Sequence, residues 1–574
     1  MRLFYTLMPL LNLQHLSIDF KSENGVVHAV KDISFTLEKG RTIGIVGESG
    51  SGKSVTSLTL MGLLPPGISK IASGQALFTD KKGNIIDILA LPEKRRRLFR
   101  GAELAMIFQE PMTSLNPVYK CGRQVAETIM LHQDVDKKEA KRLTLQWFKE
   151  VMLPDPEKAY RSYPHELSGG QRQRVMIAIA MSCQPSLLIA DEPTTALDVT
   201  VQKNIIELMK HLQQKYQMSI IFISHDLGVI AEIADYVLVM YKGEVVEQGT
   251  VDHIFKNAQH PYTKGLLACR PKLGVRYKQL PTVERFMKNE LDGIFEEISS
   301  EEHERLLDAK YKNKPILEAI NIRTHFTMKR GWFRPPTVFK AVDEVSFKVF
   351  PGETLGIVGE SGCGKTTLGR TLLRLVEPTS GKIVFFGSEI SSYSKNKLRK
   401  LRKDFQIIFQ DPYSSLNPRL TVGTAITEGM RVHGLGAHAD DRKNTALEIL
   451  SKVNLSETIY DRYPHELSGG QRQRICIARA LALRPKFIIC DESVSALDVS
   501  VQAQVLNLLN ELKKEYQFSL IFISHDLSVV KYMSDRMMVM KNGKILEYGL
   551  SDEIYENPQT EYTKNLIAAI PKGL

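Results

Sequence analysis

The sequence predicts an α/β protein built from two homologous halves. Residues 163–174 and 463–474 share the same twelve letters, YPHELSGGQRQR, a repeat that chance does not produce in 574 residues. In both halves an apolar strand runs into a glycine-rich loop, and a later apolar strand ends in Asp-Glu. Strands of this kind are typical of parallel sheets that are covered by helices. Two similar domains and a linker therefore account for the whole chain.

The composition excludes several classes of protein. The apolar fraction of 43% and the charged fraction of 25% are ordinary for a globular chain. No apolar run reaches the roughly 18 residues of a membrane-spanning helix. Six scattered cysteines without a CxxC pair indicate a reducing compartment and no zinc site. The N-terminus lacks a signal-peptide cleavage site, so we expect a cytoplasmic protein that starts at Met1 or Met8.

Each half begins with a segment that alternates apolar and polar residues, 9–20 in the first half and 315–326 in the second. Such alternation predicts a half-buried strand. The two segments end at Phe20 and Phe326.

A loop of the form G-x4-G-K-[ST] follows an apolar strand in each half. The loop residues are Gly47, Glu48, Ser49, Gly50, Ser51, Gly52, Lys53 and Ser54, and Gly359, Glu360, Ser361, Gly362, Cys363, Gly364, Lys365 and Thr366. The glycines let backbone N–H groups point at phosphate oxygens, and the lysine adds a positive charge for the β- and γ-phosphates. The hydroxyls of Ser54 and Thr366 suit Mg²⁺. The two P-loops predict two nucleoside triphosphate sites.

Two less specific features follow in each half. The basic runs 94–100 and 395–403 favour a solvated helix face over a nucleic-acid or lipid contact. Further on, an apolar strand ends at Gln109 and its counterpart ends at Gln410. A glutamine at a strand end can reach a metal or a water molecule with its amide.

The next segments have helical periodicity and lead to the repeated twelve letters. The apolar stripes consist of Leu143, Trp147, Phe148 and Val151, and of Ala446, Ile449, Leu450 and Val453. We interpret them as core. The signature residues Ser168, Gly169, Gly170 and Gln171, repeated as Ser468, Gly469, Gly470 and Gln471, precede predicted helices. A helix start with open N–H groups suits a phosphate, although a lone glycine-rich cap more often binds nothing.

Charged and titratable side chains follow two further strands. Asp191-Glu192 and Asp491-Glu492 end buried strands. Asp191 and Asp491 suit a Mg²⁺ shell, whereas Glu192 and Glu492 suit holding or deprotonating a water molecule. His225 and His525 follow the next strand and are placed to face the γ-phosphate.

An acidic linker joins the halves. Residues 284–308 hold nine acidic side chains against three Lys or Arg, and Ser299-x-x-Glu302 predicts a capped short helix. We assign the first domain to 1–271, the linker to 272–314 and the second domain to 315–574.

The order of P-loop, Gln, LSGGQ, Asp-Glu and His, present twice, resembles the nucleotide-binding domain of ABC transporters. The resemblance implies two P-loop NTPase domains, each with a parallel core sheet, an antiparallel β subdomain and a helical subdomain. It implies two ATP molecules in a head-to-tail sandwich, where 47–54 face 468–471 and 359–366 face 168–171. Both sites are then expected to hydrolyse ATP with Mg²⁺. The resemblance implies the following roles: catalysis by Glu192, Glu492, His225 and His525; metal binding by Ser54, Gln109, Asp191, Thr366, Gln410 and Asp491; and adenine stacking by Phe20 and Phe326.

Three segments are similar to the ATPases of peptide/nickel-type importers: FQEPMTSLNP, FQDPYSSLNPR and HPYTKGLLACRP at 260–271. The segment EYTKNLIAAIP at 561–571 is a weaker copy of the third. This similarity implies two membrane permeases and a substrate-binding protein as partners, no nucleic acid, and a peripheral position at the cytoplasmic face of the inner membrane. The permeases should dock near Gln109 and Gln410. Peptides are the favoured cargo, with nickel and glutathione-like solutes open.

Two alternatives belong to other functional classes. Tandem ABC ATPases that act on ribosomes or nucleic acid are also fused, but they usually carry a basic linker, whereas this linker is acidic. A nucleotide-gated regulator without turnover is disfavoured because Glu192 and Glu492 are both present.

Overall fold

A computed structural model describes residues 9–22, 25–109, 114–195, 197–272, 274–328, 336–495 and 497–570. Both candidate start residues, Met1 and Met8, lie outside these ranges, as does most of the loop that follows Gln109.

The first half contains two sheets. Its strands are β1 (Leu11–Ser22), β2 (Gly25–Leu37), β3 (Thr42–Val46), β4 (Ser69–Thr79), β5 (Ile85–Asp87), β6 (Leu104–Ile107), β7 (Leu187–Asp191), β8 (Ser219–Ser224), β9 (Tyr236–Tyr241) and β10 (Glu244–Thr250). One sheet is antiparallel with the order β2-β1-β4-β5. The other has the order β10-β9-β3-β8-β7-β6 and is parallel except for β10. Strands β3, β7 and β8 are buried along their whole length, as their continuous apolar sequences predict.

The helices of the first half lie around the parallel sheet and in a separate helical layer. They are α1 (Lys53–Met61), α2 (Glu93–Phe99), α3 (Cys121–His132), α4 (Lys137–Glu150), α5 (Pro156–Arg161), α6 (Gly169–Met181), α7 (Val199–Tyr216), α8 (Leu227–Ile233), α9 (Val251–Asn257) and α10 (Pro261–Ala268), with a 3₁₀ turn at Pro164–Glu166. The predicted core stripe lies on α4, where Trp147 and Phe148 are buried. The basic run forms α2, which has no buried residue.

The linker contains α11 (Val283–Met287) and α12 (Ser300–Tyr311). The predicted cap is confirmed, because the Ser299 hydroxyl accepts a hydrogen bond from the Glu302 N–H at 3.1 Å. Helix α12 lies against the second half, where the Tyr311 and Phe350 rings are 5.1 Å apart.

The second half repeats this architecture. Its strands are β11 (Leu317–Met328), β12 (Thr337–Val349), β13 (Thr354–Val358), β14 (Ser380–Phe385), β15 (Ser388–Glu389), β16 (Phe405–Ile408), β17 (Phe487–Asp491), β18 (Ser519–Ile523), β19 (Arg536–Lys541) and β20 (Lys544–Leu550). The sheet orders are β12-β11-β14-β15 and β16-β17-β18-β13-β19-β20. Its helices are α13 (Lys365–Leu372), α14 (Lys395–Leu401), α15 (Pro412–Ser415), α16 (Val422–Val432), α17 (Ala439–Lys452), α18 (Gly469–Leu481), α19 (Val499–Tyr516), α20 (Leu527–Met533), α21 (Ser551–Glu556) and α22 (Glu561–Ala568), with 3₁₀ turns at Glu457–Ile459 and Pro464–Glu466.

The predicted fold class is confirmed, since each half combines a mostly parallel core sheet, an antiparallel sheet and a helical layer. In the described residues, no helix combines the length and the apolar composition that crossing a membrane requires.

Candidate functional site

The predicted site residues of each half meet at one edge of the parallel sheet. Strand β3 is flanked by β8, and β7 and β6 follow in order. The carboxyl ends of these four strands carry, in the same order, the P-loop, His225, Asp191 and Gln109. A parallel sheet brings such ends together, and ligands bind in the crevice outside them.

The first P-loop curls around the ammonium group of Lys53. Lys53 Nζ donates to the carbonyl oxygens of Gly47 at 2.7 Å and Glu48 at 2.8 Å. Burial lowers the pKa of Lys53, although the negative charges of Asp498, Glu192 and other carboxylates oppose this shift. A Cβ on Gly47 would lie 2.2 Å from the Met240 carbonyl oxygen, so the tight curl requires glycine here.

The second P-loop curls around its lysine in the same way, and that lysine also forms an ion pair with a glutamate. Lys365 Nζ donates to the carbonyl oxygens of Gly359 at 2.8 Å and Glu360 at 3.0 Å. It also lies 3.8 Å from Glu492 Oε1. The lysine therefore already touches the carboxylate predicted to act on water.

The predicted metal ligands pair with each other in both halves. The Ser54 hydroxyl donates to Asp191 Oδ1 at 3.1 Å, and the Thr366 hydroxyl donates to Asp491 Oδ1 at 2.9 Å. Burial raises the pKa of Asp191 to about 6 and also raises the pKa of Asp491, against these hydrogen bonds. A hydroxyl and a carboxylate that share one face of a P-loop are the oxygen donors that Mg²⁺ prefers, so the residues fit this ion.

Glu192 is held by three side chains at a strained backbone position. Its φ is 48°, in the left-handed region that non-glycine residues rarely adopt. Glu192 Oε2 accepts hydrogen bonds from Gln109 Nε2 at 3.0 Å and the Thr195 hydroxyl at 2.8 Å, and it lies 3.1 Å from His225 Nδ1. Burial acts to raise the pKa of Glu192, but His225, Thr195 and Lys53 together lower it to about 2. The side chain is therefore a carboxylate at neutral pH.

Glu492 has the same backbone strain, with φ again 48°. Gln410 Nε2 donates to Glu492 Oε2 at 2.8 Å, and His525 Nδ1 is 3.6 Å from the same oxygen. Burial acts to raise the pKa of Glu492, whereas His525 and Lys365 lower it. Both glutamates are therefore ionised, and each is held in place by the glutamine and the histidine that the sequence predicted for its site.

The two halves contact each other through their P-loops. The Ser49 N–H donates to Asp498 Oδ2 at 2.9 Å, and the Ser361 N–H donates to Asp198 Oδ2 at 3.3 Å. Further hydrogen bonds connect the Ser500 hydroxyl to the Glu48 carboxylate and the Thr200 hydroxyl to Glu360 Oε1. Each P-loop therefore lies against the start of the long helix, α19 or α7, of the opposite half.

The signature segments lie next to these contacts. The Ser168 hydroxyl accepts from the Gln171 N–H at 3.3 Å and Gln171 Oε1 accepts from the Ser168 N–H at 3.1 Å, and Ser468 and Gln471 form the same pair. A Cβ on Gly170 would lie 2.8 Å from Val201, in the first turn of α7. In the second half, Gly470 packs in the same way against the start of α19.

The two aromatic candidates for adenine stacking lie in equivalent strands but differ in exposure. Phe20 in β1 is partly buried against the core, whereas Phe326 in β11 is 41% exposed. Each lies near the carboxyl end of its strand.

Sequence reasoning gave no role to several residues that the structure brings to the sites. Asp198 and Asp498 accept hydrogen bonds from N–H groups of the opposite P-loops. The hydroxyl oxygens of Tyr262 and Tyr562 accept hydrogen bonds from N–H groups of the P-loop in their own half. The two aspartates occupy matching places in the two halves, and so do the two tyrosines. This repetition was the signal in the sequence that could have identified them.

Comparison with known families decides the identity of this arrangement. The family model described as "ABC transporter" matches residues 30–195 and 342–495. The chain belongs to the ABC transporter family. A second model, "Oligopeptide/dipeptide transporter, C-terminal region", matches residues 246–292 of this ABC protein.

Relatives match the ABC protein along nearly its whole length. The glutathione import ATP-binding protein GsiA of Pectobacterium atrosepticum is 48% identical over 560 residues, covering 97% of this chain and 89% of the relative. GsiA of Escherichia coli is 49% identical over 562 residues, with 98% and 89% coverage. The chain is therefore the ATP-hydrolysing subunit of an ABC importer, and the ribosome-associated alternative is set aside.

Two solved structures resemble single parts of the chain. One is a dimeric post-hydrolysis state of the ATP-binding cassette MJ0796 bound to ADP and Pi, with 28% identity, a TM-score of 0.38, and 41% and 98% coverage of this chain and of that one. The other is cbiO1 from Clostridium perfringens, with 28% identity, a TM-score of 0.38, and 43% and 92% coverage.

Proposed function

We propose that this ABC ATPase drives the uptake of peptide-type solutes through two separate membrane permeases that receive cargo from a substrate-binding protein. The observation that carries the proposal is the match of residues 246–292 to an oligopeptide/dipeptide transporter C-terminal region. The GsiA relatives support it, because glutathione is itself a tripeptide. The subunit acts at the cytoplasmic face of the inner membrane as a peripheral protein.

We assign the two ATPase domains to 1–271 and 315–574, with 272–314 as the linker. ATP is held in two composite sites, one between 47–54 and Ser468–Gln471 and one between 359–366 and Ser168–Gln171. The hydrogen bonds of Asp498 to Ser49 and of Asp198 to Ser361 support this head-to-tail arrangement. Phe20 and Phe326 are the proposed adenine contacts.

The chemistry at each site follows from the charges around the phosphates. Lys53 and Lys365 hold the β- and γ-phosphates, and Glu192 and Glu492 orient and deprotonate the attacking water. His225 and His525 lie beside these glutamates. Their proposed role is to contact the γ-phosphate when ATP is bound.

Ser54, Asp191 and Gln109 in the first half, and Thr366, Asp491 and Gln410 in the second, are the groups that would hold Mg²⁺. When bound, the ion neutralises charge on the phosphate oxygens.

The helical layer offers exposed apolar side chains for the permeases. Val118 is 70% exposed shortly after Gln109, and Leu131 in α3 is 77% exposed. Tyr413 in α15 is 64% exposed close to Gln410. These side chains, on segments that follow Gln109 and Gln410 in the sequence, are the proposed permease contacts.

Purification from native membranes tests the proposal. The tagged chain is extracted with mild detergent and its partners are identified, with the Glu192→Gln/Glu492→Gln chain as a control that stays assembled without turnover. We expect two multi-span permeases, and uptake of di- and tripeptides when the complex is reconstituted in vesicles with the binding protein. Uptake of nickel alone would refute the cargo, and recovery of ribosomal proteins without a permease would refute the importer.

A further inference from the structure

The C-terminal region of each half reaches back into its own ATP site. Helix α10 places the Tyr262 hydroxyl where it accepts a hydrogen bond from the Glu48 N–H at 2.9 Å. Helix α22 of the second half does the same with Tyr562, which accepts from the Glu360 N–H at 3.0 Å. The segments around the two tyrosines are partial copies of each other, with YTK-x-L-x-A-x-x-P in common, and both keep this contact.

Both helices are fixed at their starts by a glutamate of the preceding strand. The Glu247 carboxylate of β10 accepts from the N–H groups of Gln259 at 2.6 Å and His260 at 3.2 Å. The Glu547 carboxylate of β20 accepts from the N–H groups of Gln559 and Thr560. These glutamate contacts fix the two helices on the domain, and the helices in turn hold the tyrosines against the P-loops.

The bond to each tyrosine constrains the peptide group that holds the P-loop lysine. The Glu48 N–H and the Gly47 carbonyl belong to one planar peptide group. The N–H points to Tyr262, and the carbonyl accepts from Lys53 Nζ at 2.7 Å. Fixing one side of the plane fixes the other, so Tyr262 sets the orientation of the carbonyl that holds Lys53.

The environment of each tyrosine keeps its hydroxyl in place. Tyr262 is fully buried and packs on Tyr241 with ring centroids 4.3 Å apart. Tyr562 has Lys541 Nζ 4.5 Å above its ring. Burial raises the pKa of both tyrosines, so both hydroxyls stay neutral at physiological pH.

We propose that Tyr262 and Tyr562 are positioning residues for ATP binding, and that the C-terminal region of each half is therefore a structural part of its ATP site. The tyrosine hydroxyl holds the first P-loop peptide so that the lysine is in place when the β- and γ-phosphates arrive. This role is independent of the transported solute, so it stands or falls separately from the proposed cargo.

The test compares two double variants of the full chain. In Tyr262→Phe/Tyr562→Phe the rings and their packing remain, but the P-loop N–H groups lose their acceptors. We expect the KM for ATP and the Kd of a fluorescent ATP analogue to rise about fivefold, the loss typical of one neutral hydrogen bond. The kcat should stay within about twofold, and the midpoint of thermal unfolding should not change.

The control is Tyr241→Phe, which alters the ring neighbour of Tyr262 without removing a P-loop hydrogen bond in the described part of the chain. Its KM and Kd should match those of the unmodified chain. The proposal is overturned if the double variant binds ATP normally, or if the control weakens binding equally. It is also overturned if kcat and the unfolding midpoint fall together with the affinity, because the tyrosines would then serve stability alone.

Discussion

Two aspartates at equivalent places in the two halves have different surroundings. In the first half, Asp235 pairs with Arg41 at 2.9 Å, and both side chains are largely exposed. In the second half, Asp535 is only 10% exposed and contacts Lys310 of the linker at 2.8 Å and Lys513 at 3.7 Å. The linker helix α12 therefore packs on the second half. Equivalent sequence positions can thus face water in one copy and a buried charge cluster in the other.

The two ATP sites differ far less than the surfaces around them. Both keep the P-loop lysine, the glutamine, the strained glutamate and the histidine. They differ in how the glutamate is held. The Thr195 hydroxyl donates to the Glu192 carboxylate, whereas the Ser495 hydroxyl donates to the Glu492 main-chain carbonyl. Both sites therefore keep the proposed hydrolytic groups, while the hydrogen bonds that support the glutamate vary.

The largest expected effect tests whether the two sites are equivalent in chemistry. Glu192→Gln combined with Glu492→Gln should lower ATP turnover by about 10²–10⁴-fold, because the amide cannot accept a proton from water. ATP binding should be retained, as the phosphate contacts do not use these carboxylates. Steady-state hydrolysis and equilibrium binding check both statements. Unchanged turnover in the double variant would remove both glutamates from the mechanism, and unequal effects of the single variants would break the equivalence.

The next effect uses the two aspartates. Asp535→Asn should lower the free energy of unfolding by about 2–3 kcal/mol, because it removes the buried carboxylate that pairs with the partly buried ammonium groups of Lys310 and Lys513. Asp235→Asn, the matched control, should cost about 0–1 kcal/mol, since its ion pair is exposed. Urea denaturation monitored in each half measures both. Equal losses in the free energy of unfolding would show that the contact with the linker does not make Asp535 more important for stability than Asp235.

The same pair of variants predicts a pH dependence. Burial acts to raise the pKa of Asp535, but Lys513 and Lys310 lower it to about 2, below the usual value of about 3.9. Its contribution to stability is therefore complete above about pH 4 and is lost as the pH falls towards 2. Denaturation at a series of pH values should show the gap between the unmodified chain and Asp535→Asn closing in this window. A gap that persists at pH 2 contradicts the assignment.

The smallest effect sharpens the comparison of the ATP sites. Thr195→Ala should lower kcat by up to about fivefold, because Glu192 loses one hydrogen bond that orients its carboxylate. Ser495→Ala should change kcat by less than about twofold, since the Glu492 carboxylate does not use that hydroxyl. Parallel measurements of kcat decide between these outcomes. A larger loss of kcat in Ser495→Ala than in Thr195→Ala would contradict the conclusion that only the Thr195 hydroxyl orients the glutamate carboxylate.

Much of the fold was predictable because its signals are local. The buried strands before the P-loops, the cap at Ser299 and the stripe with Trp147 and Phe148 follow from periodicity and capping, which depend on neighbours in sequence. The grouping of Glu192 with Gln109 and His225 followed from the rule that parallel strands share their carboxyl ends.

Contacts between distant segments were not predictable in this way. The bond of Tyr262 to Glu48 and the pair of Lys310 with Asp535 each join residues more than two hundred positions apart. The letters around Tyr262 indicated a subfamily but gave no partner for its hydroxyl. Such pairs depend on how helices dock onto the finished sheet, which local periodicity does not encode.

We infer that one chain forms two complete ATP sites between its own halves. Native mass spectrometry of the Glu192→Gln/Glu492→Gln chain with Mg²⁺ and ATP tests it directly. The structure predicts a monomer that carries two ATP molecules, because Asp498 and Asp198 already lie against the opposite P-loops. A chain that retains ATP only after forming a dimer with a second copy would contradict the claim.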